Sequence, residues 1–301
     1  MKAIREYTAY LKHVRNLSPA TVEAYIRDLQ LFAGYISSAG ISAIEYGKGD
    51  VRGFLSFLTD RKLSSASINR IISAVRGYFG YLVRYENLVN NPFSSIKSLK
   101  RKKRFPDFFF ESEVDEFLAL PEREENSFLS VRDKMILELL YSTGCRVSEI
   151  TGINVKDINF SDNSIIVKGK GNKERFVFIG RKAVSALRQY LFYRKNFLKD
   201  RLEEALIINR SGKRITTRGI FYIVDKYITK MAIEKKLSPH SLRHTFATHI
   251  LDRGGDIRVV QELLGHSSLS STQIYTHMGQ GRLKKIYNNT HPHAKRSGVN
   301  I

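Results

Sequence analysis

Ile165-Ile166-Val167-Lys168-Gly169-Lys170-Gly171-Asn172-Lys173-Glu174-Arg175-Phe176-Val177-Phe178-Ile179 is the one stretch of the 301-residue chain that reads strongly as β-structure. β-Branched and aromatic residues flank a glycine-rich turn at Gly169-Lys170-Gly171-Asn172, which predicts an antiparallel hairpin over residues 164–179. From residue 183 onward the apolar pattern is helical again. Upstream, an apolar helix is expected from about Val131 to Tyr141, and before it an acidic helix from Glu111 to Glu125. Further back, Lys100-Arg101-Lys102-Lys103-Arg104 followed by Phe105-Pro106 reads as an exposed linker, because five adjacent cations cannot share a core.

The first hundred residues carry helical signals only. Ser18-Pro19 has the form of an N-cap followed by Pro at the first helical position, with Val22, Tyr25, Ile26, Leu29 and Phe32 behind it at helical spacing. Asp50 is expected to cap a segment in which Phe54, Leu55 and Leu58 line one face. A third begins near Ser64–Ser67 and repeats Ile68, Ile71, Ile72, Val75, Phe79 and Leu82. The fold class is therefore mainly α: an N-terminal helical bundle over 1–98, a basic linker over 99–106, and an α-rich domain with one small antiparallel sheet over 107–301.

Charge gives the first indication of function. Fifty Lys and Arg stand against 29 Asp and Glu, a net +21, and both halves share it: residues 1–104 hold 18 basic and 7 acidic side chains (net +11), leaving 32 and 22 (net +10) beyond. Two basic halves suit a protein that grips a polyanion from two sides. The cations are not gathered on one amphipathic helix, which argues against an anionic membrane surface. There is no apolar run of membrane-spanning length, and the charged start Met1-Lys2-Ala3-Ile4-Arg5-Glu6 lacks a signal-peptide core. Cys145, the one cysteine, cannot form an intramolecular disulfide, so a cytoplasmic location is expected.

Three segments carry candidate chemistry. In Thr143-Gly144-Cys145-Arg146-Val147-Ser148-Glu149 the glycine breaks one helix and Arg146 starts the next. A guanidinium there opposes the helix dipole unless an anion joins it; pairing with Glu149 is the plainer alternative. In Ser238-Pro239-His240-Ser241-Leu242-Arg243-His244, Ser238 and Pro239 look like cap and first residue, which puts His240 and Arg243 on one face of a first turn suited to a phosphate. Phe246, Ile250 and Leu251 would anchor that helix. In the third, Gly265 ends a helix and leaves His266 on the turn, with Ile274-Tyr275-Thr276-His277 following. Singly, each of these has an ordinary structural reading.

Jointly, Arg146, Lys170, His240-x-x-Arg243, His266 and Tyr275 resemble the active-site signature of the tyrosine recombinase (phage integrase) family. The words around them, among them Gly-Lys-Gly-Asn-Lys-Glu-Arg, His-Ser-Leu-Arg-His-Thr-Phe-Ala-Thr-His, Leu-Leu-Gly-His-Ser-Ser and Ile-Tyr-Thr-His, are most similar to the Xer branch, the bacterial chromosome-dimer resolvases. The resemblance spans nearly the whole chain, including His291-Pro292-His293-Ala294; Cys145 replaces a more usual aliphatic residue. It implies the tyrosine recombinase fold, with a DNA-clamping first domain and a catalytic second one. Tyr275 would be the nucleophile that forms a 3′-phosphotyrosyl intermediate. Arg146, Arg243 and His266 would stabilise the phosphate, Lys170 would act as general acid to the departing oxygen, and His240 would assist proton transfer. Glu149 is expected to be structural, orienting Arg146 or His240.

The implied partners are duplex DNA with inverted half-sites and other recombinase subunits, alike or paralogous: two on a site, four in the synapse. A septal DNA translocase is the implied regulator. In relatives a terminal helix packs on a neighbouring subunit, and the tail carrying Leu283, Ile286 and Tyr287 is expected to do the same rather than fold back on its own domain.

No cofactor is expected: there is no G-x-x-x-x-G-K-[ST] loop and no carboxylate cluster for a two-metal site. A metal-dependent hydrolase is the rival enzyme class, since seven of eight histidines follow residue 239, but Ser241 spoils an H-E-x-x-H pattern at His240 and His244. A non-catalytic DNA-binding protein would explain the charge and leave the arginine, histidine and tyrosine set unexplained. A mobile-element integrase or a type IB topoisomerase would use nearly the same residues.

Overall fold

Two helices of the first hundred residues begin where a serine caps the first turn. The computed structural model describes residues 2–43, 45–100, 107–125, 127–169, 172–231, 235, 237–265 and 279–294. The chain divides into two units, Met1–Arg104 and Phe105–Ile301.

In the first unit α1 (Lys2–His13) precedes α2 (Pro19–Ser38), whose first turn is closed by the Ser18 hydroxyl accepting from the Thr21 N–H at 3.3 Å. Two more helices follow, α3 (Val51–Asp60) and α4 (Ser65–Tyr85), the latter capped by Ser64 on the Ser67 N–H at 3.2 Å. Asp50 does not cap α3 as expected. Its carboxylate turns back to accept from the Gly47 N–H at 2.8 Å, tightening the preceding turn instead. The core is aromatic: Phe32 meets Phe54, Tyr46, Phe79 and Phe93 with ring centres 5.0, 5.1, 5.7 and 5.9 Å away. Beyond α4 the chain runs back along that helix. Arg76 donates to the carbonyls of Phe93 and Ile96, and Asn69 exchanges two hydrogen bonds with the backbone of Leu99.

The second unit is built around α6 (Phe128–Thr143), which is buried nearly all round through Met135, Ile136, Leu137, Leu139, Leu140 and Tyr141. Before it, the expected acidic helix is shorter. α5 covers Glu111–Ala119 and a 3₁₀ turn covers Leu120–Arg123, because Pro121 has no N–H with which to continue the α-helical ladder. After α6 come α7 (Val147–Gly152) and a three-stranded antiparallel sheet in chain order: β1 (Ile158–Asn159), β2 (Ser164–Lys168) and β3 (Glu174–Phe178). The hairpin lies where expected, with Ile165 opposite Val177 and Val167 opposite Arg175; β1 is an addition. Helices α8 (Arg181–Leu198), α9 (Thr217–Lys230), α10 (Pro239–Asp252), α11 (Ile257–Leu264) and α12 (Gln280–Thr290) complete the unit.

The tail departs from expectation. α12 packs on its own unit, with Leu283 and Tyr287 in a second core formed with Phe178, Phe246, Ile250, Val259 and Leu263. Tyr287 Oη donates to the Ser142 carbonyl at 3.0 Å and lies 2.8 Å from its hydroxyl, which in turn accepts from the Gly180 N–H at 2.7 Å. Just beyond, His293 offers its carbonyl to the Arg181 N–H at 3.1 Å, passing so close that a Cβ on Gly180 would stand 2.5 Å from that oxygen. A fully buried tyrosine with a satisfied hydroxyl gains more here than an exposed helix could, which is why α12 folds back.

Candidate active site

Gly144 closes α6 at φ +58°, and a Cβ there would stand 2.5 Å from Phe246 Cδ1, so only glycine fits the turn. The turn delivers Arg146 to the N-cap position of α7 in extended conformation, φ −70° and ψ 150°. Glu149, one turn on, accepts the Arg146 N–H at Oε2 (2.8 Å) and the Arg146 Nη1 at Oε1 (3.0 Å). The Arg146 side chain stays 40% exposed while Glu149 is 3% exposed, so one face of the guanidinium remains open.

Arg243, in the first turn of α10, is buried. Its Nη1 donates to the Gly144 carbonyl and its Nη2 to the Leu264 carbonyl, both at 2.7 Å. It thus ties the end of α6, two residues before Arg146, to the end of α11, where Gly265 at φ +62° precedes His266. A guanidinium has five N–H donors, so these two bonds leave three. Burial, and next the Arg146 charge, push its pKa down to about 10. It is a cation throughout the neutral range.

His240 stands in the same turn but is exposed, so the two share a turn and not an environment. The Ser238 side chain makes no capping bond; the Ser241 hydroxyl instead accepts from the Ser238 N–H at 3.1 Å. Phe246 and Ile250 are buried as expected and Leu251 is half-buried. Lys170, His266 and Tyr275 lie outside the described residues. The described ends of the Lys170 turn are closed by the Gly169 N–H on the Lys173 carbonyl at 2.8 Å.

One member of the site was missed by sequence reasoning. Arg175, on β3, is buried and gives Nη1 to Glu149 Oε1 at 2.8 Å and Nη2 to Oε2 at 3.0 Å. Burial alone would raise the Glu149 carboxyl, but the Arg175 bonds and charge, helped by Arg146, outweigh it and hold the group below the ordinary carboxylate range. In the folded strand Arg175 shares the inward face with Val177 while Phe176 points out, 46% exposed; with apolar residues on both faces, alternation in the sequence carried no signal for this. Cys145 lies beside Arg175, 3.7 Å from its Nη2, and burial pushes its thiol up to about 11, which makes it a packing residue.

Charge at this centre does not balance. Arg146, Arg175 and Arg243 bring three positive charges and Glu149 one negative, a local +2 among the described residues. An anion is the natural complement, and a phosphodiester gathering a second negative charge as it is attacked fits it in sign and size. Among the described residues, no group of three or more His, Cys, Asp and Glu is placed to hold a metal, and no helix is long and apolar enough to cross a membrane.

The chain is similar to known proteins along nearly its whole length. Residues 108–282 match the phage integrase family, and residues 4–86 match the phage integrase N-terminal SAM-like domain. A tyrosine recombinase XerC of Treponema denticola is 38% identical over 304 residues, covering 97% of this chain and 99% of that protein. A tyrosine recombinase XerD of Oceanobacillus iheyensis is 39% identical over 296 residues, covering 97% and 99%. The solved structure of XerH site-specific recombinase bound to palindromic difH substrate, a post-cleavage complex, superposes with a TM-score of 0.72 at 26% identity, covering 93% of this chain and 84% of that one. A lambda integrase dimer on a COC′ core site shares the fold, with a TM-score of 0.69 at 17% identity over 89% and 94% of the two chains. Matched by the family over more than half its length and by these relatives almost end to end, the chain belongs to the phage integrase family and is an Xer-type tyrosine recombinase, an enzyme of site-specific DNA recombination.

Proposed function

We propose that Arg146 and Arg243 clamp the scissile phosphate while the Tyr275 phenol attacks it. The new bond joins Tyr275 Oη to phosphorus and the bond to the 5′ oxygen breaks, leaving a 3′-phosphotyrosyl enzyme. Lys170 supplies the proton that the departing 5′ oxygen needs, His266 adds a donor to the phosphate, and His240 takes up the proton that the Tyr275 phenol loses on attack. The reading is carried by Arg146 and Arg243 converging, with their charges, on the turn after α6, the carboxylate there being already held by Arg175. A phosphotyrosine ester keeps the phosphoryl group reactive enough for a second DNA hydroxyl to displace it, so rejoining needs no nucleotide.

On this reading the bundle of residues 1–98 is a DNA-clamping domain, residues 107–301 are the catalytic domain, and residues 99–106 are a basic linker. The names of the relatives support a role in resolving chromosome dimers before division. The palindromic substrate of the XerH complex and the dimer of the lambda integrase complex support two subunits on inverted half-sites. A tetrameric synapse, a paralogous recombinase, a septal translocase and a cytoplasmic location belong to the same reading.

The deciding experiment uses a suicide duplex nicked beside the cut, built on the site found by genomic footprinting. Wild type should leave a protein–DNA adduct that survives denaturing electrophoresis. Tyr275→Phe should bind the duplex equally well and form none. An undiminished adduct in the variant would overturn the assignment. Tyr287 is no substitute nucleophile, since it is 1% exposed and burial drives its phenol pKa upward.

A further inference from the structure

Arg175 ends the Gly-Lys-Gly-Asn-Lys-Glu-Arg word without a role among the signature residues, yet its guanidinium lies between Glu149 and the turn at Gly265. It holds both oxygens of Glu149, at 2.8 and 3.0 Å, and the same carboxylate holds the backbone N–H and the Nη1 of Arg146. Its Nη2 lies 3.7 Å from Cys145 Sγ, one residue before Arg146. On the other side, a Cβ at Gly265 would stand 2.8 Å from Arg175 Nε and 2.9 Å from Cδ, so the side chain lies flat against the turn that leads to His266. A Cβ at Gly169, next to Lys170, would stand 3.6 Å from its Nη1. The Arg175 side chain is only 6% exposed, too enclosed to serve as one more surface cation for DNA.

We infer that Arg175 is a positioning residue for strand cleavage: by occupying Glu149 from within, it leaves the Arg146 guanidinium turned outward and free for the scissile phosphate. The physical reason is competition for one buried carboxylate. Glu149, 3% exposed, must have its charge answered. A planar fork from β3 answers it bidentately, so Arg146 need spend only one side-chain donor there. Without Arg175, the carboxylate would draw Arg146 inward into a two-point pair and neutralise the charge meant for the substrate. A lysine at 175 would keep the charge and lose the fork.

The inference rests on the assignment of Arg146 to the phosphate. Single-turnover adduct formation on the nicked duplex would be measured for Arg175→Met, Arg175→Lys, Arg146→Ala and the Arg146→Ala/Arg175→Met double variant, with half-site affinity and thermal unfolding read alongside. Arg175→Met should slow cleavage on the order of 10²-fold, as displacement of a reacting group by about 1 Å does, with half-site affinity nearly unchanged. Arg175→Lys should fall between it and wild type. The double variant should be no slower than Arg146→Ala alone, because the second change acts only through the first.

On a duplex whose scissile phosphate is a neutral methylphosphonate, the Arg175→Met and Arg146→Ala defects should shrink together, there being less charge to stabilise. Additive defects in the double variant, or an Arg175→Met defect of equal size on both duplexes, would overturn the inference. If Arg175→Met does not fold, Arg175→Lys and the near-isosteric Glu149→Gln carry the same comparison, and additivity with Arg146→Ala overturns it equally. Normal cleavage by Arg146→Ala would strike down the phosphate assignment itself, a failure told apart because it involves no change at 175.

Discussion

The two units bury their charges differently. In the first, rings fill the interior: Phe32, Phe54, Phe79, Phe93 and Tyr46 are all 3% exposed or less, and Asp28, salt-bridged to Arg70 at 3.1 Å, is the buried charge among its described residues. The second also has an apolar core, but Arg132, Asp133, Glu138, Glu149, Arg175, Arg194 and Arg243 are buried within it. Burying ions contributes little to stability, since desolvation consumes most of what pairing returns. Their use is orientation: a forked, satisfied ion cluster holds a guanidinium to one direction, where a ring cluster accepts small repacking. One unit is organised to keep its shape and the other to keep its angles.

Removal of Arg243 should break that contrast most severely. Arg243→Ala takes away a phosphate contact and also orphans the Gly144 and Leu264 carbonyls it bridges. Cleavage should fall on the order of 10³-fold, with a stability loss of about 2–4 kcal/mol. Arg146→Ala, at a half-buried position whose Glu149 partner keeps Arg175, should lose cleavage on the order of 10²-fold and leave the melting temperature almost untouched. Single-turnover cleavage and thermal unfolding of both variants check this, and equal destabilisation by the two would erase the distinction.

In the first unit, Phe32→Ala should cost about 3–5 kcal/mol, the loss typical of a buried ring. Amide exchange should show α2 and α4 losing protection while α6 keeps its own. Parallel loss in α6 would mean that the two cores are not separate.

The third expectation concerns acid. His291, stacked on Tyr287 with ring centres 5.0 Å apart, has its pKa pushed from 6.5 down to about 3, by burial first and then by the His293 charge; His249 shifts in the same direction. The unfolded chain therefore takes up protons below pH 6.5 that the folded one refuses, so this stability is present above 6.5 and lost as pH falls toward 3. At pH 5 the loss from His291 is about 2 kcal/mol. Melting of the second unit should drop between pH 7 and 5, on the order of 5 °C. His291→Asn, which keeps an acceptor for the His293 N–H, should flatten the dependence. An unaltered slope would move the acid sensitivity elsewhere.

Local chemistry was legible in the sequence wherever one residue type answers one backbone need. Ser18 and Ser64 cap their helices, and Gly144 and Gly265 take the left-handed positions that end theirs. Arg146 and Arg243 stand at the helix starts the reading gave them. What stayed hidden was set by tertiary contacts. Both faces of the 164–179 hairpin are apolar enough to be buried, so the pattern could not tell that Arg175 turns in and Phe176 out. Asp50 found a nearer donor than the helix it precedes. The spacing of Leu283 and Tyr287 marked a surface-covering helix without saying whose surface it covers, and Ser142, far back on α6, supplies that answer.

The return of α12 to Ser142 sets a schedule for synthesis. A ribosome adds roughly 5–20 residues each second, so about 10–40 s separate the emergence of the first unit from that of residue 294. During that interval the first bundle already has everything its core requires. The second does not, because Tyr287, His291 and His293 fill space between α6, α8 and α10 that nothing earlier in the chain occupies. A nascent chain would thus acquire its ring-packed half well before the core between α6, α10 and α12 of its second half can close.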